Sequence, residues 1–258
     1  MSAVMSTDAA WRQLHEAATA PYKQAGSFAW HFARGKLGRD PVFRGLIERG
    51  LIGEGRSRVV DIGCGQGLFA SLLSSMSAMQ SQPGQWPAAW SRTPAAADYT
   101  GIELMPKDVA RAEASVGHLR PAPRFVCGDM CTAALSACDL VVILDVLHYV
   151  DHAAQEGVLG RVRDALQPGG RLLLRVGDAA SRRGFAISQW VDRTVTRIRG
   201  HRVSPTWGRP LADWTALLQR LGFSVHSIPM SEGTPFANVL LVADIKDSKD
   251  SKDSKESR

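Results

Sequence analysis

Several features are scarce in this chain of 258 residues, and each absence narrows the reading. No stretch of about 18 apolar residues occurs, so no membrane-spanning helix is expected. The first residues, Met1-Ser2-Ala3-Val4-Met5, lack a basic segment followed by an apolar core, so no secretory signal is read and the cytoplasm is the expected compartment. Cysteine occurs only at Cys64, Cys127, Cys131 and Cys138, without a C-x-x-C pair. Reduced thiols are therefore expected rather than a disulfide framework or a zinc site. Acidic side chains are nearly missing from one stretch, where seven arginines between Arg182 and Arg209 face the single acid Asp192. Elsewhere neither sign dominates. The net charge is +6, and the Lys-Asp-Ser repeat at 246–258, with five basic and four acidic residues, supplies only +1 of it. That repeat has no apolar surface to bury and reads as a disordered, solvated tail.

What remains is ordinary for a globular protein, with 45% hydrophobic and 22% charged residues and enough length for a substantial core. Residues 8–50 read as helical, with Pro41 placed to open a helix over Val42–Arg49. Strands are expected at about 57–62, 99–103, 124–127, 139–144, 171–176, 223–228 and 238–243. Helices are expected at about 68–79, 107–116, 152–166, 185–198 and 211–221. The continuous apolar run Leu140-Val141-Val142-Ile143-Leu144 suits a strand covered on both faces. Strands alternating with helices imply a doubly wound α/β sheet. Residues 80–98, rich in Gln, Pro, Ala and Ser around Trp86 and Trp90, read as a surface insertion. The short link through Glu232-Gly233-Thr234-Pro235 suggests a closing antiparallel hairpin.

The most informative segment is Asp61-Ile62-Gly63-Cys64-Gly65-Gln66-Gly67. A β-branched run ends in an acid, three glycines turn the chain, and a helix begins. Glycine permits a sharp turn and close approach of a ligand, and a helix start presents free N–H groups with a positive dipole end. The spacing differs from the G-x-G-x-x-G that seats a pyrophosphate. An acid two residues before the first glycine repels phosphates and attracts an ammonium. This segment resembles the D-x-G-x-G-x-G first motif of class I S-adenosylmethionine (SAM) methyltransferases.

The resemblance implies a seven-stranded, mostly parallel sheet with an antiparallel last strand, plus N-terminal helices. It implies a helical lid at 1–54, a SAM-binding domain at 55–245 with the insertion at 80–98 and a substrate-side helical segment at 180–210, and the tail at 246–258. SAM is the implied cofactor, seated by Asp61, Gly63, Gly65 and Gly67. Glu103 ends the second strand, where an acid accepts hydrogen bonds from a ribose diol. It lies forty residues past Gly63 rather than about twenty, and the insertion accounts for the excess. Leu104 would flank the adenine, and Asp129 and Met130 match the family's third motif beside it; Asp129 also suits a helix cap. Asp145, after the fourth strand, is read as a partner for the cofactor's methionine end. His148 is the candidate general base, since imidazole titrates near neutral pH, and Tyr149 beside it can act or pack. Tyr22, His31, Arg34, Lys36 and Trp190 are the candidate substrate contacts. No adjacent Asp-Asn pair follows Asp178, so no metal is assigned.

Elimination narrows the substrate. The [DN]-P-P-[YF] loop of amino-methylating DNA enzymes, the Pro-Cys nucleophile of cytosine-C5 enzymes and the double-Glu loop of protein-arginine methyltransferases are all missing. A small molecule remains, or an acyl or aryl group presented by an acyl carrier protein, for which the arginines of 182–209 offer a docking face. Methyl transfer to O or C is expected before N. Phe28-Ala29-Trp30-His31-Phe32-Ala33-Arg34-Gly35-Lys36-Leu37 resembles bacterial methyltransferases of aryl polyene pigment loci. The alternatives are an rRNA or tRNA methyltransferase or nucleic-acid binder, suggested by the basic pI of about 9.4, and a non-catalytic SAM-binding or NAD(P)-binding module.

Overall fold

Ser6 starts the first helix by accepting a hydrogen bond from the Ala9 N–H on its hydroxyl, at 3.3 Å. The computed structural model describes residues 5–53, 55–93, 98–178, 206–232 and 237–245. These fall into two compact units, 1–134 and 135–258.

In the first unit the helical region breaks into three helices, α1 (Thr7–Thr19), α2 (Ser27–Arg39) and α3 (Pro41–Glu48). A 3-10 turn at Ala20–Ala25 and Gly26, at φ 98°, redirect the chain between α1 and α2. Asp40 caps α3 through the Val42 N–H and Pro41 opens it, as its fixed φ favours. Then follow β1 (Arg58–Ile62), α4 (Leu68–Gln80), β2 (Asp98–Glu103), α5 (Pro106–Val116) and β3 (Arg124–Cys127). The strands are parallel, with Val60 opposite Thr100 and Ile102 opposite Val126. Within this unit α1 lies against α4, where the Ser71 hydroxyl donates to the Ala18 carbonyl at 2.6 Å.

The stretch after α4 differs from a simple surface insertion. Trp90 is buried, the Trp86 indole N–H donates to the Trp90 carbonyl, and Gln80 grips Thr93 with both ends of its amide, at 2.6 and 3.0 Å. The two indoles pack edge to face and give the segment a small core of its own.

The second unit holds β4 (Cys138–Leu144), α6 (His152–Ala165), β5 (Leu166–Gly177), α7 (Leu211–Arg220), β6 (Phe223–Pro229) and β7 (Asn238–Ile245). β4 and β5 are parallel. β7 is antiparallel to both β5 and β6 and lies between them, so its run Leu240-Leu241-Val242-Ala243 is wholly buried. β5 begins at Leu166, five residues before the strand expected at 171–176. Pro168-Gly169-Gly170 is carried through the strand, where pairing with β4 shifts register between Cys138 and Leu140. The seven strands run in the order β3-β2-β1-β4-β5-β7-β6, the mostly parallel, doubly wound sheet expected.

The expected helix over 185–198, Trp190, most of the hairpin turn and the tail at 246–258 lie outside the described residues. No helix among the described residues is long and apolar enough to cross a membrane. None of the four cysteines is in a disulfide, and Cys64 and Cys138 lie within the core.

Candidate functional site

In the first unit β1 delivers the chain to a turn in which Gly63, Gly65 and Gly67 all have positive φ, at 76°, 54° and 75°. Side chains resist that region, which explains the glycines. The last two serve different ends. A Cβ on Gly67 would meet Phe125 at 2.8 Å, so this glycine admits close packing of the turn on β3. A Cβ on Gly65 would meet nothing within 4 Å, so the turn is open on that side.

Glu103 closes the arrangement from β2. One carboxylate oxygen accepts the Gly65 N–H at 3.0 Å and the other accepts the Met105 N–H at 2.9 Å. Burial pushes its pKa up, opposed by those N–H bonds. The carboxylate therefore sits at the turn, forty residues along the chain from Gly63, with spare lone pairs on both oxygens. Leu104 beside it is among the most exposed large apolar side chains described.

Asp61 lies in the interior. Its carboxylate is buried beneath the turn and accepts the Tyr99 hydroxyl at 2.6 Å. Burial pushes its pKa up to about 7, with the Tyr99 bond opposing and the Glu103 charge adding. Cys64 wedges against β2, where a Cβ on Gly101 would lie 2.6 Å from its sulfur. Burial raises this thiol well above the usual range, and the neighbouring Asp61 adds to the effect.

Tyr22 is fully buried and donates its hydroxyl to the Gln66 carbonyl at 2.9 Å, so it braces the turn rather than lining an open surface. Gln66 is itself buried and donates to Asp108 at 3.3 Å. The other substrate candidates of this region are on the outside. His31 is exposed and tilted against Trp30; Arg34 pairs with Glu16 at 2.8 Å and Lys36 with Asp40 at 2.7 Å. Asp129, expected beside an adenine or as a helix cap, accepts the Cys131 N–H at 2.8 Å on its side chain and the Ala133 N–H on its carbonyl. It shapes a turn, and no helix follows. Met130 in that turn is half-buried.

The second unit carries the remaining candidates in the loop after β4. Asp145 has φ 61°, the one described non-glycine residue with positive φ. A bidentate pairing with Arg175 of β5, through Nε at 2.7 Å and Nη2, holds it there. Arg175 is almost wholly buried, a cation inside an apolar strand that requires such a partner. The expected methionine-end partner is thus already engaged by a guanidinium. His148 and Tyr149 follow in a one-turn 3-10 helix, their ring centres 4.2 Å apart. Asp178 caps α7 by accepting the Leu211 N–H at 3.1 Å. Among the described residues no group of three or more His, Cys, Asp or Glu side chains converges as for a metal.

The sequence reading missed four residues here. Tyr99 and Gln66 give no signal beyond their neighbourhood. Arg175 and Gln155 do: a cation inside Leu172-Leu173-Leu174-Arg175-Val176, and an amide on the apolar stripe of α6 that donates to the Leu147 and Val150 carbonyls of the loop after β4, are conspicuous polar groups in buried patterns.

Open backbone at Gly65 with an acceptor carboxylate beside it and an exposed apolar residue following fits the sugar and base of an adenosine better than paired phosphates, which Asp61 and Glu103 would repel. The comparisons with known proteins agree in kind. Acetylserotonin O-methyltransferase of Rattus norvegicus is 34% identical over 110 residues, which is 40% of this chain and 23% of that protein. The Mus musculus protein of the same name is 36% identical over 104 residues, 40% of this chain and 26% of that protein. The match thus spans about a quarter of the length of these curated relatives. The magnesium protoporphyrin IX methyltransferase of Synechocystis, solved with bound S-adenosylhomocysteine (SAH), has a TM-score of 0.54 at 19% identity, covering 85% of this chain and 88% of that one. An O-methyltransferase family protein from Burkholderia thailandensis has a TM-score of 0.57 at 16% identity, covering 95% and 64%. At such identities these structures speak for the fold. The sequence pattern of a methyltransferase domain matches residues 29–228, from α2 into β6, taking in both the glycine turn and the loop after β4, and the chain therefore belongs to the methyltransferase-domain family.

Proposed function

We propose that this chain is a SAM-dependent methyltransferase of a small molecule, with oxygen or carbon as the acceptor atom. One observation carries the reading: the Glu103 carboxylate sits on the Gly65 N–H of an otherwise open glycine turn. SAM, when bound, supplies an already electrophilic methyl group. The protein's part is to hold and align, which contributes several kcal/mol or more to lowering the barrier. Glu103 accepts the ribose hydroxyls, and Leu104, Asp129 and Met130 surround the base. Asp61 beneath the turn gains an attraction for an ammonium as it ionises, while Tyr22 and the helices of 1–54 act as a lid that braces Gln66. Asp145, fixed by Arg175, and the His148–Tyr149 pair serve the acceptor side, His148 taking the proton of a hydroxyl. An oxygen acceptor is favoured because the curated relatives are named for O-methylation. Presentation on an acyl carrier protein is the extension we attach to the arginines of 182–209, most of which lie outside the described residues.

Isothermal titration with SAH tests the reading. Micromolar binding is expected, with Glu103→Ala weakening it at least about tenfold through two lost charge-assisted contacts. No heat at millimolar SAH, or preference for NAD, overturns it.

A further inference from the structure

Beneath the glycine turn of the first unit, groups that carry either negative charge or none are gathered in one place. Asp61 of β1 and Tyr99 of β2 are both buried, at 5% and 4% exposure, and the Tyr99 hydroxyl donates to Oδ2 of Asp61 at 2.6 Å. Tyr22 from the 3-10 turn is fully buried, Cys64 lies in the turn itself, and Glu103 closes it from β2. Burial pushes all five toward their neutral forms. Asp108 of α5 acts on Cys64 and Glu103 in the same sense. Among the described residues no Lys or Arg forms an ion pair with Asp61 or Glu103.

Tyr99 is built into this spot. It stands opposite Val59, and Asp61 stands opposite Gly101, so the hydroxyl reaches Asp61 along the diagonal between neighbouring strands. Its ring packs edge to face on Phe125, with centres 6.0 Å apart. A carboxylate offers two oxygens as acceptors. Tyr99 occupies Oδ2, and Oδ1 accepts no hydrogen bond from the described residues. An ionised carboxylate without a counter-charge is costly in such a setting. The Tyr99 hydroxyl bonds the charged form and opposes the effect of burial. A cation brought in by a ligand would complete the balance.

We propose that Tyr99 is a positioning residue for the cofactor, holding Asp61 by Oδ2 so that the charged carboxylate presents Oδ1 to the ammonium at the methionine end of SAM. This rests on the methyltransferase reading, because it needs a ligand with that ammonium. Affinity for such a ligand then rises with pH as Asp61 ionises, and levels off above about pH 7. A ligand without the ammonium is indifferent to the same change.

The test titrates two ligands into the full chain, SAH and 5′-methylthioadenosine, which keeps the adenosine and lacks the amino-acid end. The range is about pH 5.5 to 7.5, below the ionisation of an α-amino group. In the wild type the ratio of SAH affinity to methylthioadenosine affinity is expected to rise about tenfold across it. Tyr99→Phe keeps the ring against Phe125. It should lower the ratio at the top of the range about three- to tenfold, leave the ratio still climbing there, and spare methylthioadenosine. Asp61→Asn should flatten the ratio, and adding Tyr99→Phe to it should change nothing further. A 3-fluorotyrosine placed at Tyr99, a stronger donor of nearly the same size, should move the rise to lower pH. A flat ratio in the wild type, a Tyr99→Phe protein that loses both ligands equally, or a rise that 3-fluorotyrosine does not move overturns the proposal. Binding of neither ligand at any pH overturns the methyltransferase reading instead.

Discussion

The glycine turn of the first unit and the loop after β4 in the second are held in place by opposite means. The turn is fixed through its own backbone: positive φ at Gly63, Gly65 and Gly67, the Gly65 N–H that meets Glu103, and the Gln66 carbonyl that meets Tyr22. The loop is fixed from outside, by Arg175 on Asp145 and by Gln155 on the Leu147 and Val150 carbonyls. A backbone-built site tolerates little change in the turn and much around it. A side-chain-built site can be remodelled by changing its braces, which suits the part of an enzyme that distinguishes substrates.

The sharpest way to break this contrast is Asp145→Asn. It leaves the buried Arg175 guanidinium without its counter-charge, and a loss of about 3–4 kcal/mol is expected in urea unfolding. Adding Arg175→Met should recover much of it; if the double variant is no more stable than the single, the pair is not what holds the loop.

Acid–base behaviour distinguishes the turn next. The folded pKa of Asp61 lies above its unfolded value, pushed up to about 7 by burial. Between about pH 4 and 7 the folded protein therefore binds more protons than the unfolded chain, and stability falls as pH rises, by up to a few kcal/mol. Asp61→Asn should flatten that fall. An unchanged slope in the variant would assign the proton elsewhere.

Within the turn, Gly67→Ala should cost about 2–3 kcal/mol, since strain at positive φ adds to the clash with Phe125. Gly65→Ala should cost about 1 kcal/mol of strain alone, yet weaken SAH more, because its methyl enters the open side of the turn. Thermal melts with and without SAH separate the two. Smallest of all, Tyr22→Phe removes one hydrogen bond to the Gln66 carbonyl. About 1 kcal/mol should be lost, with a severalfold weaker SAH affinity by titration if the helical lid supports the turn.

The same contrast explains what could be read from the amino acids alone. The turn was legible because its demands are local: glycines at alternate positions after a strand and an acid before them. The strands and helices were legible for the same reason, and their ends were misjudged where tertiary pairing intervened. β5 extends back through Pro168-Gly169-Gly170 because β4 is there to pair with. Two of the second unit's braces, Arg175 on Asp145 and Arg209 on Gln155, join partners 30 and 54 residues apart, and no local pattern announces such a partner. Polar residues out of place, Arg175 in an apolar strand and Gln155 on an apolar helix face, carried the only hint. Tyr22 was misread for the related reason that an aromatic near a ligand turn can face either the ligand or the peptide beneath it.

The contact between Cys64 and Gly101 has a consequence for how this protein can vary. The sulfur occupies the notch that a side chain at position 101 would need, so the two sites share one volume. Relatives that carry alanine at the strand position should carry glycine or alanine in the turn, and a chain enlarged at only one of them should bend its ligand seat out of shape. The pair works as a fitted peg and socket, and drift at either site waits on the other.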